Sequence, residues 1–146
     1  DDPAECDGTA GTRRGGFYEW QEALQDYSGS PAPPVQGICP AGFHLPSRDE
    51  WDTLFDGLGG TAAAPGRLAL GGDSGFDALM TGYRCTMTGG FRPSAMSAET
   101  MTYFWTTDAS GSADAWLWEV GESAMQTFAF RQSLGLSVRC VGDALP

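Results

Sequence analysis

At 146 residues the chain is long enough for one domain with a buried core and too short to favour a second. Its 19 acidic residues against eight arginines, with neither lysine nor asparagine, give a net charge of -11, a surface that repels phosphate backbones and anionic lipid and argues against nucleic-acid binding or membrane association. Hydrophobic residues at 41%, including five Trp and eight Phe, exclude a disordered chain, while 21 Gly and nine Pro point to many turns.

Residues 1–16, D-D-P-A-E-C-D-G-T-A-G-T-R-R-G-G, lack periodicity and read as an extended arm; residues 17–146 read as a single domain. In F-Y-E-W-Q-E-A-L-Q-D-Y, Trp20, Ala23, Leu24 and Tyr27 fall at i, i+3, i+4 and i+7, the spacing of a short amphipathic helix. S-G-S-P-A-P-P-V-Q-G then makes a stiff surface loop. The next helix is the clearest element. Pro46 blocks helix on its N-terminal side, Ser47 and Glu50 form a capping box, Trp51, Leu54, Phe55 and Leu58 make one apolar stripe, and Gly59-Gly60 supplies the stop, so a helix is predicted over 47–58.

Residues 61–75 are small and turn-rich, and F-D-A-L-M-T-G-Y-R-C over 76–85 reads as a strand. Residues 86–99 read as a loop punctuated by Gly89-Gly90 and Pro93. Four β-like runs follow, at 101–107, 113–120, 124–131 and 135–141. In the second, Trp116, Trp118 and Val120 alternate with Ala115, Leu117 and Glu119, and Gly121-Glu122-Ser123 fits a tight turn before the third. Two helices followed by an antiparallel meander define an α+β domain.

The four cysteines, Cys6, Cys39, Cys85 and Cys140, are widely spaced and show no C-x-x-C or Cys/His grouping, which disfavours zinc and redox chemistry. An even number in an acidic, Gly-rich chain fits two disulfides in an exported protein. The sequence starts at Asp1 as a processed chain would, with no apolar run approaching the roughly 18 residues of a membrane span. The expectation is a secreted or cell-surface protein whose signal peptide has been removed.

Four segments carry a resemblance: Q-G-I-C-P-A-G-F-H-L-P-S-R-D-E-W-D-T-L at 36–54, G-F-D-A-L-M-T-G-Y-R at 75–84, Y-F-W-T-T at 103–107 and L-G-L-S-V-R-C-V at 134–141. Together they resemble the Fibrobacter succinogenes major paralogous domain, and F-Y-E-W-Q-E-A-L at 17–24 resembles the segment that family places before it. The resemblance implies an exported or surface protein with a C-type lectin-like fold, and no established activity. It also implies that Cys39 and Cys140 are the family's two cysteines, tying the entry of the capped helix to the last strand; Cys6 and Cys85 depart from the family pattern and pair by elimination. Family members usually carry a further N-terminal strand and hairpin before the segment matching Phe17, and the turn-like arm offers none. A sheet lacking that strand exposes an edge unless the arm, the C-terminal residues 142–146 or a neighbouring copy covers it.

Candidate sites are few. His44 in G-F-H-L-P reads as a structural, hydrogen-bonded histidine, because a metal or catalytic role needs partners the local sequence does not supply. Glu19 with Glu22, and Asp49 with Asp52, lie one helical turn apart on solvated faces rather than forming a glycosidase pair. No G-x-S-x-G elbow supports serine chemistry. Calcium is the cofactor to weigh, with Asp108, Asp114 and Glu119, along with Asp73, Asp77 and Glu122, near turns, although no EF-hand pattern occurs and the Asn-containing sugar-binding motifs of C-type lectins are absent. Tyr103, Trp105, Trp116 and Trp118 could form a sugar-stacking platform, but alternation sends at least half of them toward the core.

The expected function is a non-catalytic extracellular structural module that assembles with itself or with other surface proteins into a filament or adhesive layer, by strand exchange through the arm. The alternative is a carbohydrate-binding, lectin-like module, calcium-dependent or not. An enzyme resembling the formylglycine-generating relatives of the fold would need reactive cysteines.

Overall fold

The computed structural model describes residues 15–26, 32–85, 90–92 and 100–143. Among the described residues three helices and eight strands follow one another: α1 (Trp20–Leu24), β1 (Phe43–His44), α2 (Arg48–Gly57), α3 (Ala64–Leu68), β2 (Tyr83–Cys85), β3 (Gly90–Arg92), β4 (Met101–Ser110), β5 (Asp114–Gly121), β6 (Met125–Arg131), β7 (Leu134–Gly135) and β8 (Val141–Gly142). They form three antiparallel sheets, β4-β5-β6, β3-β2-β7 and β1-β8, in a mixed α+β domain.

The capped helix forms as its sequence dictates. Ser47 is the N-cap, its Oγ accepting from Glu50 N at 3.3 Å while Glu50 Oε2 accepts from Ser47 N at 2.9 Å. At the other end Gly59 and Gly60 take φ of +93° and +83°. Gly60 N donates to Phe55 O at 2.8 Å and Gly59 N to Asp56 O at 3.1 Å, the double bond of a Schellman stop that only left-handed residues close without strain. Trp51, Phe55 and Leu58 are buried as the stripe requires.

The central sheet is covered on both faces. From β5, Ala115 and Leu117 join a core with Trp20, Leu24, Leu45, Tyr103 and Trp105, beneath α1 and the loops around it. Trp118 and Val120, on the opposite face, join Phe104, Trp51, Phe55 and Leu68 beneath α2 and α3. Indole N–H groups pin the first layer to the sheet: Trp20 Nε1 donates to Thr106 O, and Trp105 Nε1 to Tyr18 O, both at 2.8 Å.

Several expectations need correction. The first helix is shorter than its spacing suggests, because Tyr18 makes a two-way backbone bridge with Leu136 and Gln25 turns left-handed at φ 52°; Tyr27 lies outside the described residues. A third helix occupies residues read as turns. Pro65 sits in its first turn, where an amide would have no partner, and Ala64 and Leu68 are fully buried against the α2 core. The strand expected over 76–85 is confined to β2, because Gly75, Asp77 and Gly82 adopt φ of +71°, +50° and +70° and turn the chain instead. Within the expected 86–99 loop, Gly90–Arg92 forms a strand on β2.

The last run does not extend the meander. Its residues bond successively to β2, Tyr18, the outer edge of β4 and β1, because the chain is drawn toward Cys39 at its end.

Candidate functional site

The segments around Cys39 and Cys140 converge at the entrance of α2. Cys39 and Cys140 form a disulfide that closes a sequence separation of 101 residues, as the family resemblance implies. One residue beyond it, β8 pairs with β1 in the register Phe43 to Gly142 and His44 to Val141. The pairing of Cys6 with Cys85 lies outside the described residues and side chains.

That pairing delivers His44 between two carboxylates. Its Nδ1 lies 2.6 Å from Asp143 Oδ1 and its Nε2 2.6 Å from Glu50 Oε1, and the residue is only 8% exposed. Ionised carboxylates only accept, so both ring nitrogens donate and the imidazole is held as imidazolium. Burial alone would pull its pKa down, but the hydrogen bonds it donates to Glu50 and Asp143, reinforced by their charges, hold it above the ordinary value. Burial likewise works to raise the Glu50 pKa and is outweighed by the bonds from Ser47 and His44, which hold it low. With both nitrogens engaged, neither is free to take a proton from a substrate. The clamp joins the C-terminal strand to the helix cap.

Its pH dependence follows from those directions. The His44 contribution is complete below the unfolded value of about 6.5 and is lost as pH rises through the raised folded value. The Glu50 contribution is present above an unfolded value of about 4.3 and fades as pH falls through the lowered folded one. Stability from the clamp is therefore greatest between those limits. In urea titrations, His44→Gln should remove the decline on the alkaline side; a stability difference from wild type that stays constant from pH 6 to 9 would contradict the assignment.

Asp108 completes the helix entrance. It sits on β4, and its Oδ2 accepts from Arg48 N at 2.8 Å, satisfying a first-turn amide that α2 cannot bond itself. A groove of about 500 Å³ runs beside α2, lined by Pro46, Glu50, Trp51, Leu54, Phe76 and Arg139. Its aromatic faces are not offered to a ligand: Trp51 is 2% exposed, and the Arg139 guanidinium lies 4.7 Å over the Phe76 ring while donating to Phe76 O.

The residues singled out for calcium or sugar do not come together. Asp108 caps α2, Glu119 Oε1 accepts from Gln126 Nε2 at 2.8 Å, and Asp114 lies at the far end of the same strand, opposite Arg131. Among the described residues no three His, Cys, Asp or Glu side chains cluster as a metal site requires. Tyr103 and Trp105 are buried in one core and Trp118 in the other, because both sheet faces are covered; Trp116, half-buried, has the Arg48 guanidinium 3.9 Å over its ring. No shared platform results.

The accessible feature is an edge instead. β6 is the terminal strand of the central sheet, and Phe130 upon it is 45% exposed. Sequence reasoning anticipated an open edge only where the family's first strand is missing and did not single out β6; residues 1–14 of the arm and residues 144–146, which that expectation concerned, lie outside the described residues. It also missed Asp143, whose role depends on a partner 99 residues away. Among the described residues no helix is long and apolar enough to cross a membrane.

The model of the Fibrobacter succinogenes major domain matches residues 4–142, nearly the whole chain, and the chain belongs to that family. No curated protein and no solved structure matches it.

Proposed function

We propose that this member of the Fibrobacter succinogenes major domain family is a non-catalytic extracellular module with a C-type lectin-like fold. In this reading it assembles with copies of itself, or with other surface proteins, into a filament or adhesive layer. The observation that carries it is the β6 edge, which no described residue pairs with, on a sheet whose faces are otherwise closed, since a free edge is a template for strand addition. The disulfide supports an exported location, because such bonds persist in oxidising compartments. The engaged nitrogens of His44 support the absence of catalysis. The net charge of -11 keeps copies apart except where a specific contact repays the repulsion. Strand exchange through the arm remains part of the proposal; residues 1–14 lie outside the described residues.

Analytical ultracentrifugation and electron microscopy of the purified protein, over a wide concentration range with and without calcium, provide the test. Concentration-dependent oligomers or fibres are expected. Monodisperse monomers under every condition would overturn the reading.

A further inference from the structure

The ladder between β5 and β6 fixes which backbone groups of β6 are free. The hairpin closes with Gly121 N donating to Ala124 O at 2.8 Å, and beyond its open end Gln132 N donates to Ala113 O at 3.0 Å. Directly opposed residues of an antiparallel pair alternate between bonded and non-bonded. In the observed register the bonded pairs are therefore Glu119 with Gln126, Leu117 with Phe128 and Ala115 with Phe130. The N–H and C=O groups of Met125, Thr127, Ala129 and Arg131 point away from β5, and among the described residues no backbone group takes them.

Among the described residues this edge carries none of the usual protections. The strand M-Q-T-F-A-F-R contains no Pro and no Lys, and its single charge stands at its end. The irregularity in this sheet lies between Trp105 and Ala109 of β4, where it does nothing to bend β6 away from a partner.

We propose that β6 is an isologous interface, pairing antiparallel with the β6 of a second copy about a twofold axis at Phe128. The proposal rests on the self-assembly reading above and supplies its contact. The outward groups dictate the register: Met125 bonds the second copy's Arg131 and Thr127 bonds the second copy's Ala129, giving about eight backbone hydrogen bonds across the dyad. Between them, Phe128 opposes its own copy, and Gln126 opposes the second copy's Phe130, so the exposed rings are covered.

Charge favours a second copy as the occupant. The strand has one positive and no negative residue in a chain of net charge -11, and the register sets Arg131 opposite an uncharged Met125. The arm is a poorer occupant, because D-D-P-A-E-C-D-G-T-A-G-T-R-R has no alternation and only Thr9 and Thr12 as strand-forming residues. The contact closes on itself and makes a dimer, so growth into a fibre requires a second interface.

Non-bonded antiparallel pairs have Cα atoms about 4.5 Å apart, within disulfide range. The exposed pair Gln126 and Phe130 is therefore the place for a cross-link. Under mild oxidation the double variant Gln126→Cys, Phe130→Cys should give a covalent dimer with peptides joined between those positions, whereas Phe130→Cys alone should give none. Ala129→Pro, which removes an outward amide, should weaken dimerisation at least tenfold. In the wild-type protein, hydrogen-exchange protection at Met125, Thr127, Ala129 and Arg131 should rise with concentration, a readout independent of any variant's folding. A double variant that stays uncross-linked, or exchange at those amides that ignores concentration, overturns the proposal. If wild type self-associates and a folded Ala129→Pro does so equally, the edge contact is wrong while self-assembly stands; if wild type is monomeric throughout, both fall.

Discussion

Replacing both Cys39 and Cys140 by serine is expected to lower the unfolding free energy by about 4–5 kcal/mol, because the bridge restricts an unfolded loop of 101 residues' separation. Domains of this size are stable by only about 5–15 kcal/mol, so the variant should stand near its folding threshold at 37 °C. The native contacts around the bridge cannot make up the loss. β1 and β8 are short, and the carboxylates of the His44 clamp are partly solvated, at 40% for Glu50 and 48% for Asp143. Urea unfolding of the double serine variant provides the measurement, compared with wild type under the same oxidising conditions. A loss below about 1 kcal/mol would show that the unfolded chain gains little freedom when the bridge is cut.

Phe55→Ala should cost about 3–5 kcal/mol. Phe55 is 1% exposed, its ring centroid lies 5.4 Å from that of Trp51 in a stacked arrangement, and it meets Trp118 edge-on at 4.6 Å. It is thus the contact through which α2 grips the central sheet. Removing it leaves a void between two indoles that neighbouring backbone cannot fill, and the lost ring contacts add to the lost burial. Leu54→Ala, on the half-exposed flank of the same stripe, should cost clearly less. The two variants in one urea series test this ordering; equal losses would mean that the helix is held by its caps more than by its stripe.

What the sequence disclosed, and what it withheld, divides along physical lines. The α2 helix was legible to within a residue at each end because its signals are local: Ser47 and Glu50 cap each other, and Gly59-Gly60 stops it. The β4-β5-β6 hairpins were legible for the same reason, alternation and a short turn lying next to each other in the chain. The helix at Ala64–Leu68 was not, since its propensity is weak and burial of Ala64 and Leu68 on the α2 core decides it. The extended reading of 76–85 failed because alternation says nothing of backbone sign, and Asp77 adopts φ +50° with its carboxylate accepting from Gly71 N. At the candidate site, Asp108 appeared as a loose acid and Asp143 was not singled out at all. Their roles depend on Arg48, 60 residues away, and His44, 99 away, distances no local pattern spans. The aromatic residues were misleading in proportion to how closed the sheet is: a strand with one solvated face would have offered Trp118, and here α2 lies over it.

The bridge between Cys39 and Cys140 also decides how the domain bears load. Tension drawn through the segments outside the bridge must first strip Trp20, Ala23 and Leu24 from their core, and it then crosses the covalent link directly, sparing the span between the two cysteines that carries α2, α3 and the central sheet. A pull strong enough to strip the flanking segments can lengthen only the chain before Cys39 and after Cys140 while the link is intact. Stretching experiments on tandem copies should accordingly show short extensions under oxidising conditions and long ones after reduction.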